Sequence, residues 1–489
     1  MLPWKSILQL QKSSPLPVYL QISNGIIREI KTGVIKPGMK MPGTRDLSHM
    51  LKVHRQTVVK AFDELDAQGW ITSIPSKGSF VSEHLPEINP RKLQSAKEIP
   101  KPLNSTGYSF RVNQYIKVPS LPLRNIIGFH DGPDVRLVPA KQIARAYWSV
   151  VNRKSGLHHL SYGYEIGNYE LRKVLSEELN CSRGMQTTPD HIFISRGSQM
   201  GVFMLTQILI SPGDNVIVGN PNYYYTDRTF MFAGAKLIRV AMDDSGIDVE
   251  QIEQVCRKKK IRVVFLTPHH HYPTTVTLSA ARRMKLISLA EKYGFIIIED
   301  DYDYDFHYES SPILPLASAD RNGMVIYVGT LSKTIAPALR LGYVAAPKNL
   351  IQELCKLRQV IDIQGDPLLE EAVAQLFSLG EIRRHMKKAL KEYKKRRDFV
   401  CGLLKEELPD AIQFKMPEGG LAIWAKFDEK IPLNDLSVNL RKKNIILSSG
   451  AIHNVDDMPK LNATRMGFGW MDTREAERAV DILCDVVRG

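Results

Sequence analysis

The chain has 489 residues, of which 43% are hydrophobic and 24% charged, and it carries a formal net charge of +14. This length exceeds what a single hydrophobic core usually serves, so more than one domain is expected. Lys5 and Gln9 interrupt the apolar N-terminal run and the five cysteines show no pairing or ligand spacing, so we expect no signal peptide, no membrane span and a cytoplasmic location.

The first 82 residues have the pattern of three helices followed by two short strands. Apolar residues recur at every fourth position from Val18 to Ile30 and Gly33 follows, which predicts a helix of about four turns. The remaining elements are a short helix capped by Thr44, a helix opened by His54, and strands over 70–74 and 79–81. This order indicates a winged helix-turn-helix, so double-stranded DNA is the expected partner.

Residues 17–81 resemble the GntR family of bacterial DNA-binding domains. The family's motifs stand here as Pro42-Gly43-Thr44-Arg45, His54-Arg55-Gln56-Thr57-Val58 and Ser76-Lys77-Gly78-Ser79-Phe80-Val81. The resemblance implies that the first turn of the recognition helix reads bases while flanking cations contact phosphates. The DNA-binding residues expected on this basis are Arg45, Arg55, Thr57, Lys60, Lys77 and Gly78. Lys60 suits a solvent-facing position equally well.

Three positions depart from the pattern of that family. Gly43 stands where the family has a Ser, His54 replaces a capping Ser, and Ser76 replaces the first glycine of the wing. Loss of a serine cap costs a helix ~1 kcal/mol, so we expect a weaker start of the third helix at His54.

A change of composition separates this region from the rest of the chain. Residues 83–122 are rich in Pro, Asn, Lys and Ser without apolar periodicity, which predicts a linker between a DNA-binding domain, 1–82, and a larger domain, 123–489. In the larger domain apolar strands alternate with helical segments, which is typical of a largely parallel α/β sheet. The clearest strands are 216–218, 263–266, 295–298 and 325–328.

Polar residues of the larger domain have the chemistry of a pyridoxal 5′-phosphate site. Lys333, preceded by Thr330 and Ser332, offers the amine for a Schiff base with the cofactor aldehyde. The hydroxyls and Arg340 suit the phosphate, and a buried Asp300 would keep the pyridine nitrogen protonated. Alone, each piece also fits a solvated turn or a polar strand end, but their joint spacing favours the cofactor site.

From about residue 126 to the C-terminus the chain resembles fold-type I aminotransferases. Four segments match in order: Phe129-His130-Asp131-Gly132-Pro133-Asp134, Tyr162-Gly163-Tyr164, Glu299-Asp300-Asp301-Tyr302-Asp303 and Arg340-Leu341-Gly342-Tyr343. The resemblance implies an α/β, pyridoxal-phosphate-dependent, aminotransferase-like domain. It also implies a homodimer with the site near the subunit interface.

The resemblance assigns further residues to the cofactor. Ser198 and Gln199 follow an apolar strand and open a helix, where free backbone N–H groups favour a phosphate. Tyr223 falls where these enzymes stack an aromatic ring on the pyridine. Arg465 resembles the arginine that binds the α-carboxylate of an amino acid, since a planar guanidinium suits a carboxylate, and Arg228 is expected near the same entrance.

The loop over 267–275 departs from the family. Tyr272 stands where the family has an Asn that donates to the 3-oxygen of the cofactor, and Tyr302 is the second candidate for that contact. Thr275 replaces a glycine, which leaves the geometry of the loop open. Three consecutive histidines precede it, but adjacent residues of an extended segment point alternately, so we expect no metal site.

Two functions fit these features. One is a transcriptional regulator of the GntR-family branch called MocR, in which an amino acid, an amino sulfonate or pyridoxal phosphate itself is sensed through a Lys333 aldimine. The other is an active aminotransferase that carries a DNA-binding module. The cofactor residues serve both, and residual transaminase chemistry stays open. An enzyme has no use for a recognition helix and wing, so we favour the regulator.

Overall fold

The computed structural model describes residues 3–8, 10–11, 14, 16–86, 104–110, 127–309, 313–453 and 460–488. The chain divides into two compact units, residues 1–110 and 111–489. Most of the predicted linker, 83–122, lies outside the described residues. Within those residues, no helix combines the length and the apolar character needed to cross a membrane.

The first unit is a small helical domain with a two-stranded wing. Its elements are α1 (Trp4–Ile7), α2 (Val18–Lys31), α3 (Thr44–Leu51), α4 (Arg55–Ala67), β1 (Ile71–Ile74) and β2 (Gly78–Val81). The strands pair antiparallel with Ile71 opposite Val81. Ile22 and Ile26 of α2 are fully buried with Leu65 of α4 in one core, as their helical spacing predicts. The winged helix-turn-helix is confirmed.

The start of α3 corrects one expectation, and the start of α4 bears on another. Gly43 is the N-cap of α3, and Thr44 is the first helical residue, so the prediction that Thr44 caps this helix was wrong. At α4 the Nδ1 atom of His54 accepts a hydrogen bond from the backbone N–H of Gln56 at 3.2 Å. Histidine therefore takes the place of serine as the acceptor, and the weaker start of this helix stays a prediction. In the wing, Ser76 adopts φ +62°, a conformation that a glycine would adopt without strain.

The second unit is an α/β domain with a large sheet and a smaller C-terminal lobe. Its strands are β3 (Ile127–Gly128), β4 (Ile192–Ser195), β5 (Asn215–Asn220), β6 (Lys236–Asp243), β7 (Gly246–Ile247), β8 (Val263–Leu266), β9 (Ile296–Asp301), β10 (Val325–Thr330), β11 (Gly342–Ala345), β12 (Ile412–Gln413), β13 (Ala422–Phe427), β14 (Ile445–Ile446) and β15 (Ala463–Gly467). Its helices are α5 (Ala140–Asn152), α6 (Tyr169–Arg183), α7 (Ser198–Leu209), α8 (Tyr224–Phe232), α9 (Val249–Cys256), α10 (Ala280–Tyr293), α11 (Leu316–Ala319), α12 (Lys348–Ile361), α13 (Pro367–Ser378), α14 (Glu381–Glu407), α15 (Leu433–Lys442) and α16 (Thr473–Arg488).

The large sheet has eight strands in the order β4-β11-β10-β9-β8-β5-β6-β7. The pairs from β10 through β9, β8 and β5 to β6 are parallel, whereas β11 and β7 pair antiparallel with their neighbours. Alternate residues of a strand face opposite sides of the sheet: Ile298 packs in the core that contains α7 and α12, and Ile297 in the core that contains α9 and α10. The expected, largely parallel α/β sheet is confirmed.

The C-terminal lobe is organised around a three-stranded sheet, β12-β13-β15, and the two-stranded pair β3-β14. Its core joins these strands to α14, α15 and α16 and includes Phe129, which follows β3. The N-terminal strand of this unit therefore belongs to the C-terminal lobe.

Parallel strands bring their carboxyl ends to one edge of a sheet, where α/β proteins bind ligands. Asp300 lies near this end of β9, and Lys333 follows the same end of β10. The segments that begin at Tyr223 and at Thr267 follow β5 and β8. The topology therefore gathers residues that are far apart in sequence at one edge.

Candidate functional site

Lys333 lies between the sheet and the segment that follows β3. Its Nζ atom donates a hydrogen bond to the carbonyl oxygen of Asp131 at 3.0 Å and lies 3.8 Å from Oδ1 of the same residue. The lysine side chain is one-fifth exposed, so it is largely buried without being closed off from solvent.

Asp300 is a buried carboxyl group that forms no ion pair with a described residue. Among the described residues its Oδ1 atom has no hydrogen-bond partner. Burial, and then the charges of Asp301 and Asp303, raise the pKa of Asp300 to about 7. A protonated ring nitrogen placed against this carboxyl group would supply the missing charge and donor.

The two neighbouring aspartates, in contrast, are held by histidines of the 267–275 loop. Asp301 accepts a hydrogen bond from the Tyr327 hydroxyl at 2.7 Å and lies 3.2 Å from Nδ1 of His269. Burial acts to raise the pKa of Asp301, but the charge and hydrogen bond of His269 outweigh it and lower the pKa to about 2. Asp303 lies 2.9 Å from Nδ1 of His270.

The three consecutive histidines therefore have separate partners, since the third, His271, lies with Nδ1 2.9 Å from the Thr274 hydroxyl. Within the described part of the chain, no group of three or more His, Cys, Asp or Glu residues is arranged to hold a metal ion. Thr275 adopts φ +62° and donates its N–H to the carbonyl oxygen of His271 at 2.7 Å. The loop thus keeps a left-handed turn although threonine replaces glycine.

Three backbone segments meet at the other end of the site, around Arg340. A Cβ atom added to Gly197 would lie 2.5 Å from Nη2 of Arg340, and one added to Gly342 would lie 2.6 Å from the backbone nitrogen of Ser198. A side chain at Gly342 would therefore overlap the backbone at the start of α7, whereas one at Gly197 would require the guanidinium of Arg340 to shift. The guanidinium and the free N–H groups of the helix start form a setting suited to an anion.

The hydroxyl groups of Thr330 and Ser332, which precede Lys333, lie beside this end of the site, which is suited to an anion. Thr330 Oγ1 accepts a hydrogen bond from the N–H of Ser332 at 3.1 Å and donates to the carbonyl oxygen of Leu341 at 3.3 Å. The buried Oγ atom of Ser332 has no partner among the described residues. Gln199, by comparison, donates its side-chain amide to the Thr229 hydroxyl at 2.9 Å. The backbone N–H of Gln199 belongs to the second residue of α7 and so lies at the start of the helix.

Three of the predicted aromatic residues cluster above the strand ends. The rings of Tyr223 and Tyr272 meet edge to face with centroids 4.7 Å apart, and the rings of Tyr272 and Tyr302 are 6.4 Å apart. The Tyr302 hydroxyl donates to the carbonyl oxygen of His270 at 2.8 Å. The three aromatic side chains thus form one cluster, and their contact with the cofactor stays a prediction.

Arg465, on β15 of the C-terminal lobe, forms an ion pair with Asp131. Its Nε atom lies 2.8 Å from Oδ2 and its Nη2 atom 3.4 Å from Oδ1 of that carboxylate. The sequence did not single out Asp131 for a role, although a carboxylate in a motif with Gly132 and Pro133 is a detectable signal. Arg228 was expected near the same entrance as Arg465. Its guanidinium carbon instead lies 4.7 Å from the centroid of the Tyr224 ring, and its described contacts do not include Arg465.

The residues expected to bind DNA lie on the surface of the first unit. The side chains of Arg45, Arg55, Lys60 and Lys77 are exposed, Gly78 is exposed in the wing, and Thr57 is partly exposed. The Nε atom of Arg55 lies 3.5 Å from the Thr44 hydroxyl, so the start of the recognition helix α4 lies against the start of α3. No acidic side chain shields these cations in the ion pairs of the described residues.

Comparisons with known proteins agree with both units. The family Aminotransferase class I and II matches residues 140–483, and the family of bacterial regulatory proteins named gntR matches residues 18–81. The uncharacterized HTH-type transcriptional regulator YisV of Bacillus subtilis is 27% identical over 491 residues, which are 98% of each chain. The probable rhizopine catabolism regulatory protein MocR of Rhizobium meliloti is 26% identical over 86% of this chain and 84% of that protein.

Among solved structures, the kynurenine aminotransferase of Pyrococcus horikoshii is similar with a TM-score of 0.69 and 26% identity, over 74% of this chain and 91% of that one. The match to this enzyme covers about three quarters of the chain, whereas the match to the regulator YisV covers 98% of it. The chain therefore belongs to the aminotransferase class I and II family and, with its GntR-type DNA-binding domain, is a regulator of the MocR type.

Proposed function

We propose that the chain binds operator DNA through its first unit and uses pyridoxal 5′-phosphate in the second to sense a small amino compound, or the cofactor itself. One observation carries the proposal: a single chain combines an exposed recognition helix with a site that gathers the amine of Lys333 and two buried oxygen atoms, Oδ1 of Asp300 and Oγ of Ser332, that have no hydrogen-bond partner among the described residues. A metabolic enzyme would need only the second feature.

The residues of the second unit suit this cofactor at both of its ends. The Oδ1 atom of Asp300, which has no hydrogen-bond partner among the described residues, complements a protonated pyridine nitrogen, and Arg340 with the Ser332 hydroxyl and the first turn of α7 complements a phosphate. When bound, pyridoxal phosphate supplies an aldehyde that captures primary amines. Lys333 is the amine that this chain places at the site, and Tyr223 is the ring for stacking.

In the first unit, we assign base contacts to the exposed start of α4 and phosphate contacts to the cations around it. Arg55 and Thr57 occupy the first turn of the recognition helix, where base edges are read. Arg45, Lys60 and Lys77 supply positive charge at the sides, which gives affinity without sequence preference.

We further propose a homodimer. The segment 148–164 of the second unit carries five large apolar side chains that are between 61% and 82% exposed, namely Trp148, Leu157, Leu160, Tyr162 and Tyr164, and we infer that they form one apolar patch. Large contiguous apolar patches on soluble proteins mark interaction surfaces. A second copy of the chain would cover this patch and present two winged domains to paired half-sites on DNA. Sedimentation of the wild-type protein and of a Tyr162→Glu, Leu160→Glu variant tests this, since only the wild type should be dimeric.

Capture and sequencing of genomic fragments tests the function as a whole. The purified full chain is incubated with fragments with and without pyridoxal phosphate, in parallel with Lys333→Ala and Arg55→Ala variants. We expect the wild type to enrich a repeated site upstream of a small set of genes. Arg55→Ala should lose this enrichment and keep the visible absorption of the bound cofactor, whereas Lys333→Ala should lose the absorption and still bind DNA.

The alternative, an active aminotransferase with a DNA-binding module, predicts the reverse. Failure of the folded, cofactor-loaded wild type to enrich any site, together with turnover of an amino acid and a keto acid, would replace the regulator by the enzyme. An altered cofactor spectrum in Arg55→Ala would contradict the division of roles between the two units.

A further inference from the structure

Groups of this chain already engage all three nitrogen atoms of the Arg465 guanidinium. Its Nε and Nη2 atoms donate to the Asp131 carboxylate, Nη2 also donates to the Tyr302 hydroxyl at 3.3 Å, and Nη1 donates to the carbonyl oxygen of Pro273 at 3.3 Å. The Tyr272 ring covers the guanidinium at 4.8 Å. A guanidinium binds a carboxylate through two parallel N–H groups, and both such edges of Arg465 are in use.

The backbone keeps Asp131 in this position. The N–H of Gly467 donates to the carbonyl oxygen of Phe129 at 3.1 Å, and a Cβ atom at Gly467 would overlap the carbonyl oxygen of His130. Upstream, β3 pairs with β14, with Ile127 opposite Ile445. The segment that carries Asp131 is thus packed directly against the strand that carries Arg465.

Asp131 is also charged and lies between two cations. Its carboxylate contacts Arg465 at 2.8 Å and lies 3.8 Å from Nζ of Lys333. Burial acts to raise the pKa of Asp131, but the charges of Arg465 and Lys333 lower it to about 2. Any second carboxylate brought to Arg465 would therefore meet a fixed negative charge and would have to displace it.

We propose that Asp131 is a specificity-determining residue that occupies Arg465, so that the site takes primary amines with no carboxylate on the amine-bearing carbon. This inference rests on the proposed sensing of amines at Lys333 and narrows its chemical class. The internal carboxylate occupies the place that the α-carboxylate of an amino acid would need. Amines that lack this group bring no second negative charge and leave the ion pair intact.

Matched ligand pairs test the proposal on the full-length, cofactor-loaded protein. Phenylalanine is compared with phenethylamine, and alanine with ethylamine, by the change in visible absorption and by thermal shift. For the wild type we expect the amine of each pair to bind about tenfold or more tightly than the amino acid. Asp131→Asn should remove or invert this preference, and Asp131→Ser is measured in parallel in case the first variant folds poorly.

A second arm needs no cofactor. Propionate and benzoate are titrated into the cofactor-free protein, with thermal shift and calorimetry as readouts. We expect saturable binding to Asp131→Asn, none to the wild type, and none to a variant that combines Asp131→Asn with Arg465→Gln. Carboxylate binding by the wild type, or none by the Asp131 variants that fold, would overturn the proposal, as would a wild-type preference for amino acids.

The two arms separate this inference from the function on which it rests. A wild-type protein that gains no visible absorption with pyridoxal phosphate would contradict the proposed function. The carboxylate titrations would still support or overturn the role of Asp131 at Arg465.

Discussion

Replacement of Asp300 by asparagine tests whether the larger unit stores an uncompensated buried charge. The carboxyl group is 6% exposed, and its pKa is raised from 3.8 to about 7, chiefly by burial and then by Asp301 and Asp303. When the pKa of an acid is higher in the folded state than in the unfolded chain, ionisation of that acid lowers the free energy of unfolding. This loss of stability is absent at a pH below the pKa of the unfolded state, grows between the two pKa values and is constant at a pH above the pKa of the folded state.

The structure also sets the size of this penalty. A shift of about three units at 1.36 kcal/mol per unit corresponds to about 4 kcal/mol of lost stability above neutral pH. Asparagine keeps the shape and cannot ionise. Asp300→Asn should therefore stabilise the cofactor-free protein by up to about 4 kcal/mol near pH 8, and by less than half of this near pH 5. The same change should weaken cofactor binding, because the partner for a ring nitrogen is lost.

Calorimetric unfolding of the full chain measures this effect. The transition that shifts on addition of pyridoxal phosphate identifies the larger unit, and it is compared for wild type and variant near pH 8 and pH 5. Asp301→Asn is the matched control, because its pKa of about 2 and its bonds to His269 and Tyr327 predict destabilisation at both pH values. An Asp300→Asn variant that is no more stable than wild type at the higher pH, or equally stabilised at both, would refute the reasoning.

Three further predictions concern single residues. Arg55→Ala should weaken binding to the preferred DNA site by about 1–3 kcal/mol in fluorescence anisotropy and relax base preference at one position, whereas a uniform loss on all sequences would assign it to phosphate contact. Gly197→Ala should weaken cofactor binding about tenfold or more, because its Cβ atom would lie 2.5 Å from Nη2 of Arg340. Gly213→Ala, which is also at positive φ but in open space, is the control and should bind the cofactor normally in the same titration. His54→Ala should lower the unfolding free energy of the first unit by about 1 kcal/mol in denaturant melts, and no change would show that its Nδ1 bond does not act as a cap.

The parts of this molecule that were predictable from sequence depend on regular geometry. The four-residue spacing of apolar side chains in α2 and the apolar runs of β9 and β10 indicate their elements directly. Because parallel strands align their carboxyl ends, Asp300 and Lys333 meet at one edge although they are far apart in the chain. The motifs that resemble known families identify both units from the sequence alone.

The parts that were missed depend on contacts without a local pattern. Asp131 and Arg465 are 334 positions apart, and their meeting requires the first strand of the unit to pack into the C-terminal lobe. The cap at His54 depends on the orientation of one ring nitrogen, which propensities for serine do not reveal. Thr275 keeps a glycine-like conformation because the fold of the surrounding loop outweighs its local preference.

The bond between Lys333 and Asp131 joins two bodies of the larger unit. Lys333 follows a strand of the large sheet, whereas the segment of Asp131 is anchored to the C-terminal lobe by β3 and Phe129. One nitrogen atom cannot keep its full bond to the lobe while it is covalently engaged elsewhere. A covalent bond at this nitrogen therefore weakens one contact between the large sheet and the C-terminal lobe, so the strength of that contact depends on what the lysine holds.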